Sequence, residues 1–264
     1  MATRPQSGIE IDHVTHLYAP SNAPPVTALS DISLAIPPNQ FHALLGPSGC
    51  GKSTLLYLIG GFIPVQRGEI RTSAGPVRAP GPDRGIVFQN FALFPWKSVR
   101  DNILYALAKR GLRGSGAADR AQHFIDLVHL TGFERSYPAQ LSGGMQQRAA
   151  LARTLALDPD ILLMDEPFGA LDAQTRRIMQ EELLTIWRAT NKTVVFVTHD
   201  VAEAVFLADR ISIMSARPGR IDQLIDVDFN RTSDKSVLKT PEFVETVEHV
   251  WDLVRAQVDA ARAA

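Results

Sequence analysis

Apolar and polar residues alternate over 9–14 and again over 32–36, where Ile32, Leu34 and Ile36 share one face. Both runs predict half-buried strands, and Pro37 with Pro38 ends the second. Between them, residues 19–25 read as a loop by composition. Phe41, His42, Ala43, Leu44 and Leu45 have the texture of a buried strand that runs into a glycine-rich turn. Leu55, Leu56, Leu58 and Ile59 then recur at helical spacing within 53–59, until Gly60 and Gly61 stop the helix. Further strands are predicted at 68–72 and 85–88.

The texture changes near residue 91. Residues 99–106 and 121–128 show helical periodicity, with 111–116 as a linker, and 91–155 reads as a helical subdomain inserted into an α/β core. Strand texture returns at 161–164 and 193–197, separated by a helix near 175–189. A strand pair near 211–214 and 221–227 and a final helix near 241–260 complete the chain. Alternation of this kind implies a largely parallel sheet with helices on its faces. The expected organisation is a single domain over 1–264. Its α/β core is 1–90 and 156–228 and includes a β subdomain, and 229–264 is a helical tail.

Composition narrows the function classes. At 264 residues, 45% hydrophobic and 21% charged, the chain is an ordinary globular protein. With 27 basic against 28 acidic residues, it lacks the basic excess of a general nucleic-acid or anionic-membrane binder. Cys50 is the one cysteine, which excludes an intramolecular disulfide and a multi-cysteine metal site. The first residues lack the apolar core of a secretory signal, and no apolar run approaches the roughly 18 residues of a membrane span. A cytoplasmic protein is expected, one that serves any membrane as a docked partner.

Two runs carry chemistry. Gly46, Pro47, Ser48, Gly49, Cys50, Gly51, Lys52 and Ser53 match the phosphate-loop pattern G-x-x-x-x-G-K-[ST], with a strand before and a helix after. Glycines let the backbone turn its N–H groups inward on an anion at a helix N-terminus. Lys52 is placed to neutralise β- and γ-phosphates, Ser53 to ligate Mg²⁺, and Thr54 to extend the cradle. In the second run, the apolar strand Leu162, Leu163, Met164 delivers Asp165 and Glu166 at its carboxyl end, where ligands gather in open parallel sheets. Asp165 suits Mg²⁺ and Glu166 suits a general base acting on water.

A third run, LSGGMQQR at 141–148, resembles the signature of the ATP-binding-cassette (ABC) family. Nearly the whole chain follows that family's order of elements. The resemblance implies an α/β P-loop NTPase fold of the ABC type, with an inserted helical subdomain and an antiparallel β subdomain. It also implies ATP and Mg²⁺ as cofactors and ATP hydrolysis as the activity. Gln89 matches the Q-loop glutamine, which senses Mg²⁺ and the γ-phosphate, and His199 matches the switch histidine. Gly169, Ala170, Leu171 and Asp172 match the D-loop, although Ser is commoner where Gly169 stands. Tyr18 sits where the family stacks an aromatic residue on adenine; packing at a strand end is its other reading. Ser142, Gly143 and Gly144 would start a helix near 145–155 and expose N–H groups to the ATP of a second subunit. Lys52 and Ser142 thus imply a head-to-tail dimer.

The interval between Lys52 and Ser142 admits a helical subdomain but not the long coiled coil of DNA-repair relatives. A single cassette without membrane helices resembles the stand-alone ATPase of a bacterial importer. Residues 81–90, 93–96 and 215–221 resemble the nitrate/sulfonate/taurine branch. That implies a second ATPase subunit in a homodimer, permease subunits, a periplasmic or extracellular solute-binding protein, no nucleic-acid partner, and a peripheral place on the cytoplasmic face of the inner membrane. Leu93, Phe94 and Trp96 are read either as lining the groove for the permease's coupling helix or as subdomain packing. The ATPase of an exporter or lipid-trafficking complex is the second reading of function, and a regulatory or non-transport module the third.

Overall fold

The computed structural model describes residues 8–19, 24–169, 171–228 and 235–263. Parts of the expected loop at 19–25 and of the tail from 229 lie outside these residues, as does Ala170. The chain gathers into two units, Met1–Gly81 with Asn191–Ala264, and Pro82–Thr190.

The first unit opens with strands β1 (Ile9–Tyr18), β2 (Val26–Ile36) and β3 (Phe41–Leu45), helix α1 (Lys52–Gly60), and strands β4 (Arg67–Thr72) and β5 (Gly75–Pro76). Antiparallel pairing orders four of these strands β2-β1-β4-β5. The alternation expected across 9–14 is interrupted. Asp12 and His13 are both exposed, His13 has φ 49°, and the shift in register returns Val14 to the buried face. Across the pair, Asp31 on β2 has φ 57°, and its carboxylate lies 2.7 Å from His13 Nδ1. Two kinks facing each other let one side of the ribbon stay apolar.

The second unit contains β6 (Arg84–Val87), α2 (Val99–Lys109), α3 (Ser115–Leu127), α4 (Gly143–Ala156), β7 (Ile161–Asp165) and α5 (Ala173–Thr190). β6 and β7 pair in parallel, with Val87 opposite Met164. Helices α2, α3 and α4 pack on one another. The linker is shorter than expected because α3 begins at Ser115 and takes up Gly116. Ser98 caps α2, its Oγ accepting the Asp101 N–H at 3.1 Å. The buried Asn102 fixes the turn before α2. Its Oδ1 accepts from Phe94 N–H at 3.0 Å, and its Nδ2 donates to the carbonyls of Lys97 and Ser98 at 3.1 and 3.0 Å.

The chain then returns to the first unit with β8 (Thr193–Val197), α6 (Val201–Leu207), β9 (Arg210–Met214), β10 (Ile221–Asp226) and α7 (Pro241–Ala263). β3 lies between β8 and β9, parallel to both, and β10 closes that edge antiparallel to β9. Every residue of β3 and of β8 is buried, the burial expected of parallel strands covered on both faces. The short α6 was not predicted. Asp200, whose carboxylate accepts the Glu203 N–H at 3.1 Å, is its N-cap and the signal that marks it. Phe243, Val250 and Val254 form the buried stripe of α7, which packs on α6 and β9.

Candidate nucleotide site

The phosphate loop leaves the carboxyl end of β3 and ends at α1. Gly51, the N-cap of α1, has φ 96°, and a Cβ there would lie 2.6 Å from Leu29 Cδ2, so only glycine fits. No side chain caps α1, which leaves its N-terminus facing the loop's interior as an anion site. Lys52 is buried, and its ammonium donates to the carbonyls of Gly46 at 2.8 Å and Pro47 at 3.0 Å. Its third nearby acceptor is the Cys50 sulfur at 3.8 Å. Burial pushes the Cys50 thiol pKa up despite that ammonium, so the thiol stays protonated and acts as a small packing group.

Tyr18 ends β1 half-exposed, with its hydroxyl 3.3 Å from Thr54 Oγ1 on the first turn of α1. Its ring meets the buried His16 edge to face at 4.8 Å. The aromatic ring is therefore fixed beside the phosphate-loop helix. His199 is exposed just beyond β8. Because Leu44 pairs with Val197, the loop carrying His199 and the loop carrying Gly46 leave the same end of adjacent parallel strands. The backbone beneath His199 is pinned. Thr198 N–H donates to Leu44 O at 3.3 Å, and Thr198 Oγ1 donates to the buried Glu203 carboxylate. Tyr18, residues 46–54 and His199 all belong to the first unit.

In the second unit, Asp165 closes β7 and is 5% exposed. Glu166 follows in the left-handed region at φ 43°, and its carbonyl accepts the Gly169 N–H at 3.1 Å. This turn re-aims the chain so that the two carboxylates do not simply alternate across a strand. Gln89 lies two residues beyond Val87, as Glu166 lies two beyond Met164, its strand partner. A Cβ on Gly169 would lie 3.7 Å from Gln89 Nε2 and 3.9 Å from Glu166 Oε2. Both side chains therefore lie at ordinary contact distance from the bare position where the resembled family more often carries serine.

Ser142 caps α4, accepting the Met145 N–H at 3.4 Å, so the helix begins at Gly143, two residues earlier than expected. Gly144 is buried against α5, where a Cβ would approach Thr175 Cγ2 to 2.6 Å. Asp172 caps α5 by accepting the N–H groups of Gln174 and Thr175 at 3.1 and 3.0 Å; the Thr175 side-chain hydrogen bond first, and then these N–H bonds, hold its carboxyl below the usual pKa. The signature run and Asp172 thus meet at the start of α5, while Gln89 and Glu166 meet at Gly169.

One residue here escaped the sequence reading. Arg153 of α4 donates to the carbonyls of Ala92 at 2.6 Å and Phe91 at 3.2 Å, two residues with positive φ just after Gln89. Its guanidinium also lies 5.6 Å from the Phe94 ring centre. The only sequence signal was an arginine set among small residues on a helix. Phe94 itself meets Tyr105 edge to face at 4.7 Å and Trp96 at 5.7 Å, while Trp96 remains 71% exposed.

Residues 29–169 match the family described as ABC transporter. The chain is 45% identical over 250 residues to an uncharacterized ABC transporter ATP-binding protein of Methanocaldococcus jannaschii, covering 95% of this chain and 92% of that one. It is 44% identical over 261 residues to the taurine import ATP-binding protein TauB of Rhizobium johnstonii, covering 97% of this chain and 100% of TauB. Among solved structures it is similar to a dimeric post-hydrolysis state of the ATP-binding cassette MJ0796 bound to ADP and Pi. That match has a TM-score of 0.74 at 31% identity, over 84% of this chain and 100% of that one. A phosphate loop, adjacent strand-end carboxylates and the LSGGMQQR run therefore coincide with a family match over more than half the sequence, and the chain belongs to the ABC transporter family as an ATP-binding subunit.

Proposed function

We propose that this chain is the ATP-hydrolysing subunit of a bacterial ABC importer for taurine, an alkanesulfonate, nitrate or a related small solute. The observation that carries the import reading is its likeness to TauB along the full length of that protein. In this reading Lys52 shares its ammonium between the loop carbonyls and the β- and γ-phosphates of ATP. Ser53, Gln89 and Asp165 serve Mg²⁺, which supplies charge neutralisation at the transferring phosphate. Glu166 is the general base for the attacking water, His199 contacts the γ-phosphate, and Tyr18 carries the adenine. Ser142, Gly143, Gly144 and Asp172 serve the nucleotide of a second copy of the chain, so each copy alone offers two incomplete sites.

Hydrolysis loosens that pair, and the movement is passed to permease subunits by the helical subdomain at 91–155, through Leu93, Phe94 and Trp96. The core segments 1–90 and 156–228 hold ATP, and 229–264 is an appended tail. The chain works on the cytoplasmic face of the membrane; no described helix is long and apolar enough to cross it. The test is co-reconstitution with the cognate permease in vesicles. ATP hydrolysis stimulated by a solute-binding protein, with uptake of taurine or a related anion, is the expected result. Hydrolysis indifferent to any binding protein, or outward transport, would remove the import reading and favour an exporter.

A further inference from the structure

The run at 215–221 has so far served only to mark a branch of the family. In the fold residues 215–220 are the loop between β9 and β10, and Arg217 and Gly219 of that loop lie against Gly49 and Cys50 of the phosphate loop. Gly219 is stitched to β2: its N–H donates to Ala28 O at 3.0 Å, and its carbonyl accepts from Ser30 N–H at 2.9 Å. A Cβ on Gly219 would stand 2.0 Å from the Cys50 carbonyl, so the two backbones are in direct contact. One turn along, the exposed Arg217 lays its guanidinium on Gly49. From the site of a Gly49 Cβ, Arg217 Nη2, Nε and Cζ would be 3.3, 3.7 and 3.9 Å away. Ser215 stiffens the arrangement, donating to Pro218 O at 3.2 Å and accepting the Arg220 N–H at 3.1 Å.

We propose that Arg217 is a positioning residue of the nucleotide site, a cation held on the outer face of the phosphate loop by the Gly219 anchor. The proposal rests on the ATP-binding reading above. Arginine is always charged, and its planar head can lie on a peptide where glycine leaves the surface bare. A fixed charge there favours the polyphosphate electrostatically, and its contact with Gly49 holds the loop in the conformation that binds. Lys52 bonds the carbonyls of Gly46 and Pro47, so a second cation on Gly49 acts at a different part of the loop.

Equilibrium binding of ATP to the full chain tests this, using Arg217→Gln, which keeps length without charge, and Arg217→Lys, which keeps charge. Arg217→Gln is expected to bind ATP roughly tenfold more weakly, while Arg217→Lys stays within about threefold of the parent. The melting temperature without nucleotide is expected to be the same in all three. Arg217→Gln with parental affinity would overturn the proposal, and so would a loss in Arg217→Lys as large as in Arg217→Gln. If the parent chain itself binds no ATP, the underlying nucleotide reading fails and this assignment falls with it, a result distinct from a parent that binds and an Arg217→Gln that binds equally well.

Discussion

The Lys52 ammonium sits 2.8 Å from the Gly46 carbonyl and donates a hydrogen bond to it. The loop therefore encloses its own cation before any phosphate arrives, and the buried charge is satisfied by backbone dipoles. Lys52→Ala removes charge and donor together. ATP hydrolysis is expected to fall by roughly 100-fold or more, with ATP affinity lost in parallel. Steady-state hydrolysis and fluorescent-nucleotide titration measure the two, and a variant that retains both would show that the loop is not the phosphate site.

Glu166 occupies its left-handed turn at φ 43° next to Gln89 and Gly169. Glu166→Gln preserves shape and removes only the basic oxygen. The expected outcome is a loss of hydrolysis of about 100-fold or more with ATP binding intact. An ATP-dependent dimer should then persist in size-exclusion chromatography. Parental turnover by this variant would strip Glu166 of the general-base role.

Gly144 lies in the first turn of α4, where Ala would ordinarily stabilise by up to about 1 kcal/mol. Here the added methyl meets Thr175 Cγ2 at 2.6 Å, so overpacking outweighs propensity. Gly144→Ala is expected to destabilise the chain by roughly 1–3 kcal/mol in urea unfolding. Adding Thr175→Ser, which deletes the opposing methyl, should restore most of it. Equal instability of the single and double variants would show that this contact is not the cause.

His42 is buried in β3, its Nε2 2.7 Å from Ser212 Oγ. Burial, reinforced by the nearby Arg210 charge, pulls its pKa down to about 3. The unfolded chain gains this proton near pH 6.5 and the folded chain does not until about pH 3, so stability falls as pH drops through that window. The slope from this group alone is on the order of 1 kcal/mol per pH unit. Replacing both partners, as in His42→Leu with Ser212→Ala, should flatten the decline seen in urea unfolding between pH 6 and 4. An unchanged slope would assign the acid sensitivity elsewhere.

Trp96 is 71% exposed within the turn that Asn102 ties down at Phe94, Lys97 and Ser98. Trp96→Ala is expected to change unfolding free energy by less than about 0.5 kcal/mol. Transport per ATP hydrolysed in the reconstituted complex should fall. Intact coupling would return the residue to ordinary surface packing.

The strands around the phosphate loop were legible in the sequence because Phe41–Leu45 and Thr193–Val197 are continuous apolar runs of strand length bounded by turn residues. The bulge at His13 was passed over, although two successive polar residues, Asp12 and His13, stand between Ile11 and Val14 where strict alternation would have only one. Helix α6 was missed because seven residues are too few for periodicity to register, and only its cap betrayed it. Motif residues could be found by spacing. The contacts of Arg153 and Arg217 could not, because each reaches backbone distant in sequence, and even the singled-out run at 215–221 gave no sign that Arg217 lies on Gly49.

The pairing of β3 with β8 and β9 has a consequence for synthesis. Phe41 must meet Val194, and His42 must meet Arg210, with the whole of Pro82–Thr190 emerging from the ribosome between them. The intervening segment brings its own paired strands and packed helices, so it can fold while the first strands wait. A nascent chain halted before residue 193 would therefore display the full GPSGCGKS run yet lack the neighbours that shape it. The packing of Gly219 on β2 and on the Cys50 carbonyl can form only after residue 219 has been made.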